Sequence, residues 1–173
     1  MKKIIFITLY FLIFYQLFSS PCYSQELNLQ QKSWIKQYSQ IYFGQQWKQW
    51  DKVMASLMQV ESGNCMQKVG ELDASFGCSQ MKVEAVRQAA KYWKIPIPKN
   101  DDKIIWKLLQ NDKFAIHLST AYMAYLMKKF NDWDLSVISY NIGEGKILEL
   151  LQEGKELPTE YLEKIKEGME NIK

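Results

Sequence analysis

The stretch Val53-Met-Ala-Ser-Leu-Met-Gln-Val-Glu61-Ser-Gly63 constrains the chain more than any other, because it sets an ionisable group on the apolar side of a helix. At about 100° per residue, Glu61 falls within roughly 40° of Trp47, Trp50, Met54 and Leu57, so its side chain points inward. Ionised glutamate is rarely buried without a partner, and loss of hydration favours the protonated form. A carboxyl that holds its proton near neutrality can act as a general acid. Ser62-Gly63-Asn64 reads as a helix stop, which puts Glu61 on the last turn, at the rim of whatever the next loop opens onto. The plainer alternative is a core-edge glutamate whose tip escapes to water through the helix end.

The first residues address the compartment. Met1-Lys2-Lys3 precedes an apolar run from Ile4 to Phe18, interrupted only by Thr8 and Gln16, and then Ser19-Ser20-Pro21-Cys22-Tyr23-Ser24. These are the three parts of a secretory signal peptide with cleavage before Gln25, and the run is short for a membrane span, which needs about 20 residues. Residues 1–24 are thus expected to direct export. Their removal takes two lysines and no acid, so the charge balance falls from +3 (22 minus 19) to +1 (20 minus 19). A nearly neutral domain argues against an electrostatic nucleic-acid binder. The same cut removes Cys22 and leaves Cys65 and Cys78, an even pair in a compartment that permits disulfides. Joined, they would close a loop worth about 3 kcal/mol to the folded state. Two free thiols are the alternative.

Apolar spacings of three and four predict a mostly helical chain. A first helix over Trp34, Ile35, Tyr38 and Tyr42 ends at Gly44 and belongs to an N-terminal helical extension, residues 25–45. The main domain, residues 46–173, starts with the Glu61 helix. Residues 62–79 keep no period and hold Gly63, Gly70 and Gly77, which predicts a long structured loop into which a short β-hairpin fits. Further helices are expected over 81–93, after the Asn100 cap, and after Asn111-Asp112, where Ile116, Ser119, Tyr122, Met123, Leu126 and Phe130 form the stripe of a central helix. Another runs from Asp132 to Ser139, broken by Tyr140-Asn141-Ile142-Gly143-Glu144-Gly145, and a last one is capped by Thr159. With 173 residues, 47% hydrophobic and 24% charged, the chain suits one packed domain.

Several chemistries lack their parts. His117 is the sole histidine and has no Cys or His at metal-ligand spacing, so no metal or cofactor is expected and His117 reads as a helix-surface residue. No nucleophile elbow or phosphate-cradling glycine loop occurs. An inward acid, a loop with Ser79 and Gln80, and a Tyr-Asn-x-Gly turn suit a carbohydrate, whose faces stack on aromatics and whose hydroxyls need donors and acceptors.

At these residues the chain resembles the lytic transglycosylases of the soluble-lytic type, relatives of goose-type lysozyme. The matching segments come in order: Val60-Glu61-Ser62-Gly63; Gly77-Cys78-Ser79-Gln80-Met81, where the family usually has Gly-Leu-Met-Gln-hydrophobic; Ala121-Tyr-Met-Ala-Tyr-Leu126; and Ser139-Tyr140-Asn141-Ile142-Gly143-Glu144-Gly145. Leu157-Pro158 with Tyr161 and Lys164 matches the closing segment. The resemblance spans residues 46–166 and implies a mainly α, lysozyme-like helical domain with a long active-site loop. It implies that Glu61 is the single acid/base cleaving the bond between N-acetylmuramic acid and N-acetylglucosamine, with a 1,6-anhydro product and no second carboxylate. Glu71, Asp73 and Glu144 are the other acids near such a site.

By the same carry-over Tyr140 would hydrogen-bond Glu61 or the sugar, Asn141 would hold the turn or the substrate, and Gln80 and Ser79 would meet substrate amides or hydroxyls. Ser62 would touch the sugar or cap the helix. Cys78 and Ser79 stand where larger apolar residues are usual, and a Cys65–Cys78 disulfide would brace the groove floor. The partners implied are peptidoglycan glycan strands, met by a monomer in the periplasm or cell envelope. Small size, with no separate wall-binding module, suggests local wall opening for a secretion, conjugation or pilus machine. A hydrolytic muramidase, with Asp73 positioning water, and a silent peptidoglycan-binding protein are the alternatives.

Overall fold

The structure, a computed structural model, describes residues 26–70 and 74–172. The expected signal peptide over residues 1–24 lies outside the described residues, as do Glu71 and Asp73. Asn28 opens helix α1 (Leu29–Phe43) with a reciprocal cap: its side chain accepts from the Gln31 N–H, and the Gln31 side chain accepts from the Asn28 N–H. Gly44 ends α1, and a 3-10 turn (Gly44–Gln46) leads into α2 (Trp47–Ser62), which carries Glu61. The order then runs α3 (Val83–Trp93), α4 (Asp101–Gln110), α5 (Asp112–Phe130), α6 (Trp133–Ile142), α7 (Glu144–Gln152) and α8 (Glu160–Asn171). Side chains of Asn100, Asn111 and Asp132 accept from the N–H groups of Lys103, Phe114 and Leu135, so three helix starts follow from local capping chemistry.

Helix α5 is the axis of the fold and packs against α1, α3, α4 and α6. Every residue from Leu118 to Leu126 is buried, which is the state of a helix covered on all sides. One side, with Ile116 and Met123, joins Ile35, Trp50, Met54, Leu57 and Ile165 in a first apolar cluster. The other, with Leu118, Ala121 and Leu126, joins Val86, Ile104 and Leu108 in a second. Tyr140 packs against both, at their seam. The single stripe expected for this helix understates its burial, because neighbours cover its back as well. Helix α1 contributes Ile35 and Tyr38 to the first cluster and so packs into the same core as the rest.

Helix α8 lies against α2, and the contact is close because Gly168 faces Ser56. A Cβ at Gly168 would stand 2.1 Å from Ser56 Oγ, while that hydroxyl donates to the Ile165 carbonyl at 2.8 Å. The sequence numbers run in opposite directions along this contact, so the start of α8 meets the end of α2.

Five local expectations need correction. Helix α6 runs through Tyr140 and Asn141 and stops only at Gly143, whose positive φ of 88° turns the chain. Gly143 and Gly145 do not open a loop, since α7 follows at once and buries Ile147. Thr159 takes the N-cap position of α8, but its side chain makes no capping bond because its backbone is already helical. His117 is half-buried rather than on the surface: α1 covers it, Tyr38 stacks on its ring at 4.2 Å, and its Nε2 lies 2.7 Å from the Tyr42 hydroxyl. The hairpin reduces, among the described residues, to two isolated antiparallel bridges, Val69 with Phe76 and Phe76 with Met81.

Candidate active site

Glu61 sits on the last turn of α2 because Gly63 adopts the left-handed conformation and ends the helix, its N–H on the Gln59 carbonyl. The turn stays left-handed for three residues, with φ of 56° at Gly63, 62° at Asn64 and 73° at Cys65. For L-residues that region costs about 1–2 kcal/mol each, so the surroundings must hold the last two in place. They do so through Ser62, whose hydroxyl accepts the Cys65 N–H at 2.9 Å and donates to the Cys78 carbonyl at 2.5 Å. A disulfide joins Cys65 to Cys78 across the same turn.

The returning segment is pressed onto the core at Gly77, where φ is 81° and a Cβ would meet the Leu108 carbonyl oxygen at 2.7 Å. Gln80 then locks the loop: its amide nitrogen donates to the carbonyls of Gln67 at 3.0 Å and Gly77 at 2.9 Å, and its oxygen accepts from Ser75 at 3.0 Å. Lys68 stakes the outer side to Asp112 at 2.6 Å, and Asp112 also accepts from Gln31 at 2.9 Å.

Between this loop, the start of α3 and the end of α6 opens a cavity of about 820 Å³. Glu61, Gln80, Tyr122, Tyr140, Asn141 and Glu144 are among the residues that line it. The Glu61 carboxylate accepts a 2.5 Å hydrogen bond from the Tyr161 hydroxyl. Burial and the adjacent Glu61 charge push the Tyr161 phenol well above its usual range, and the same two causes act on Tyr140. Both hydroxyls therefore keep their protons across ordinary pH, and Tyr161 meets Glu61 as a hydrogen-bond donor. Glu144, on the opposite wall, is held by Tyr125 at 2.7 Å and Lys129 at 3.0 Å.

The structure thus brings Glu61, Gln80, Tyr140 and Asn141 to one cavity and sets Ser62 and Ser79 behind it. Ser62 is buried and its hydroxyl bonds the loop, which is the capping role. Ser79 is wholly buried, and its backbone carbonyl rather than its hydroxyl is used: it accepts from Tyr140 at 3.0 Å. The hydroxyl that reaches Glu61 is that of Tyr161, not Tyr140. Tyr161 escaped the site assignment, though it shares a helix face with Ile165 and Gly168, and a glycine on the buried face of an otherwise regular helix signals a close approach. Cys65, Cys78 and Asp112 offer atoms within 4.8 Å of one another, but both sulfurs are committed to the disulfide and cannot serve as thiolate ligands.

The family model described as the transglycosylase SLT domain matches residues 40–162. Among solved structures the chain is similar to an inactive mutant of the lytic transglycosylase Slt from Pseudomonas aeruginosa, in which a glutamate is replaced by glutamine. That match has a TM-score of 0.56 and 17% identity over 80% of this chain, which spans 21% of the length of the other. The likeness is one of fold. No curated protein matches.

Proposed function

The chain belongs to the transglycosylase SLT domain family, and from that premise we propose that it is a peptidoglycan lytic transglycosylase whose acid and base are one group, Glu61. The observation that carries the reading is the carboxyl of Glu61 at the end of α2, facing the cavity and held by the Tyr161 hydroxyl. Protonated Glu61 gives its proton to the oxygen that joins C1 of N-acetylmuramic acid to N-acetylglucosamine, and that bond breaks. The resulting carboxylate takes the proton of the C6 hydroxyl of the same muramic acid as that oxygen bonds to C1, closing a 1,6-anhydro ring. Atoms balance without water, and Glu61 ends protonated as it began. A nucleophile in the substrate's own ring removes the need for the paired carboxylates of ordinary glycosidases. Tyr125 and Lys129 hold Glu144, which keeps that acid to the rim. Gln80 shapes the wall, and Asn141 offers its amide to substrate from the last turn of α6.

The reading includes export, supported by Met1-Lys2-Lys3 and the apolar run to Phe18, and a site of action in the periplasm or cell envelope. Local wall opening for an envelope-spanning secretion or conjugation machine is the role this small domain suits. Peptidoglycan incubated with the exported chain should yield muropeptides lighter than their hydrolysed counterparts by one water, about 18 Da, by mass spectrometry. Reducing ends would make it a muramidase. Glu61→Gln, which preserves shape, should cut the rate about 10²–10⁴-fold with the circular dichroism spectrum unchanged; retained activity would remove Glu61 from the mechanism.

A further inference from the structure

We propose that the Cys65–Cys78 disulfide positions Glu61 and Tyr140 relative to each other, so that the cavity is competent only in the oxidised protein. The inference rests on Glu61 being the acid/base. Cys65 closes the left-handed turn that directly follows Glu61-Ser62, with φ of 73°, a conformation that a side-chain-bearing residue leaves unless held. Cys78 lies at the start of the segment that anchors both cavity-lining groups. Its carbonyl accepts from Ser62 at 2.5 Å, and the next carbonyl, that of Ser79, accepts from Tyr140 at 3.0 Å. The S–S bond thus ties the end of the Glu61 helix to the segment that holds Tyr140. Opening it leaves the strained turn with noncovalent restraint only and frees Cys78-Ser79 to shift relative to Ser62.

Cys65 is 8% exposed and Cys78 is not exposed, so the bond is shielded but reaches the surface at one end. A dithiol reductant carries the step. Its first thiolate attacks one sulfur and forms a mixed disulfide, and its second displaces the protein thiolate. Two electrons and two protons pass to Cys65 and Cys78 as the reductant closes to a disulfide. Cys65 and Cys78 are positioning residues here: they touch neither substrate nor its reacting atoms.

The test is made on the full exported chain, oxidised and after treatment with dithiothreitol, with ¹³C-carboxyl-labelled glutamate. The Glu61 resonance is followed against pH by NMR, and kcat and KM are measured on soluble glycan strands in parallel. Reduction should move the Glu61 titration midpoint by at least about half a pH unit, and should lower kcat about tenfold at nearly constant KM. Reoxidation should restore both. An unmoved Glu61 midpoint in a folded reduced chain overturns the proposal, whatever the activity. A moved midpoint in a chain whose oxidised form cleaves nothing upholds the positioning and rejects the transglycosylase reading instead. If the reduced chain unfolds, Cys65→Ala/Cys78→Val, whose side chains refill the buried space, decides: the same displacement of the Glu61 midpoint supports the proposal, and none refutes it.

Discussion

Gly168→Ala is a one-carbon test of how α8 delivers Tyr161 to Glu61. In a helix interior the change alone stabilises by about 0.5–1 kcal/mol, through lower freedom of the unfolded chain. Here the new methyl meets Ser56 Oγ at 2.1 Å and Ser56 Cβ at 3.1 Å. The hydroxyl can swing away only by releasing the Ile165 carbonyl, to which it donates at 2.8 Å in a buried position. A buried hydroxyl left without a partner costs about 1–3 kcal/mol, and forcing helices apart in a packed core costs about 1–3 kcal/mol more. The balance is a loss of roughly 1–5.5 kcal/mol, or a melting temperature lower by about 3–16 °C for a domain of this size. Because Tyr161 lies two turns from Gly168 on the same face, the separation should also lengthen its 2.5 Å bond to Glu61 and lower kcat. Thermal melts followed by circular dichroism, with turnover measured well below the midpoint, read both effects. Ser56→Ala with Gly168→Ala should recover more than half of the lost stability, since the worst contact is gone. A Gly168→Ala chain that melts higher than the parent would refute the close-packing account.

Two further perturbations probe the site and the core beneath it. Tyr161→Phe deletes a hydrogen bond to a carboxylate worth about 1.5–3 kcal/mol, so turnover should fall about 10- to 100-fold with the fold intact; unchanged kinetics would show that Tyr161 merely packs. His117 is held below its usual 6.5 by burial, and secondarily by the charge of Lys113, so the fold favours the neutral ring. As pH falls below about 6.5 the unfolded chain takes up this proton first, and the stability it carries, complete above that pH, is lost toward the folded-state value. His117→Phe should therefore flatten the acid side of a plot of melting temperature against pH between 4 and 8. An equally steep acid side would assign the loss to other groups.

What the sequence discloses is what local chemistry decides. Glu61's inward face follows from 100° arithmetic, and the starts of α4, α5 and α6 follow from Asn100, Asn111 and Asp132, since each cap reaches only three residues. A donor to Glu61 lies 100 residues further on and arrives through the Ser56–Gly168 contact; Gly168 marks a close approach on its helix but does not say which helix it meets. His117 likewise reads as exposed until α1 is laid over α5. The short helix α7 was hidden by Gly143 and Gly145, because two glycines close together resemble a loop when the first in fact ends one helix and the second sits inside the next. The motif beside Glu61 leaves Ser62 open between a sugar contact and a helix cap and offers Ser79 to the substrate; the structure buries both side chains behind the cavity wall, and the Ser62 hydroxyl bonds the loop.

The polar frame around Glu61 is written mostly in main-chain atoms. Ser62 donates to the oxygen of Cys78, Tyr140 to that of Ser79, and Gln80 to those of Gly77 and Gln67. An acceptor that belongs to the backbone is supplied by any residue, so its geometry can be inherited while the letter above it changes. Here positions 78 and 79 carry cysteine and serine, and their two carbonyls face Ser62 and Tyr140. In lineages that share this arrangement, divergence should concentrate at the residues that lend only a carbonyl, while the donors Ser62, Gln80, Tyr140 and Tyr161 resist it. A motif search keyed to side chains at 78 and 79 will pass over such sites, and one keyed to the donors will find them.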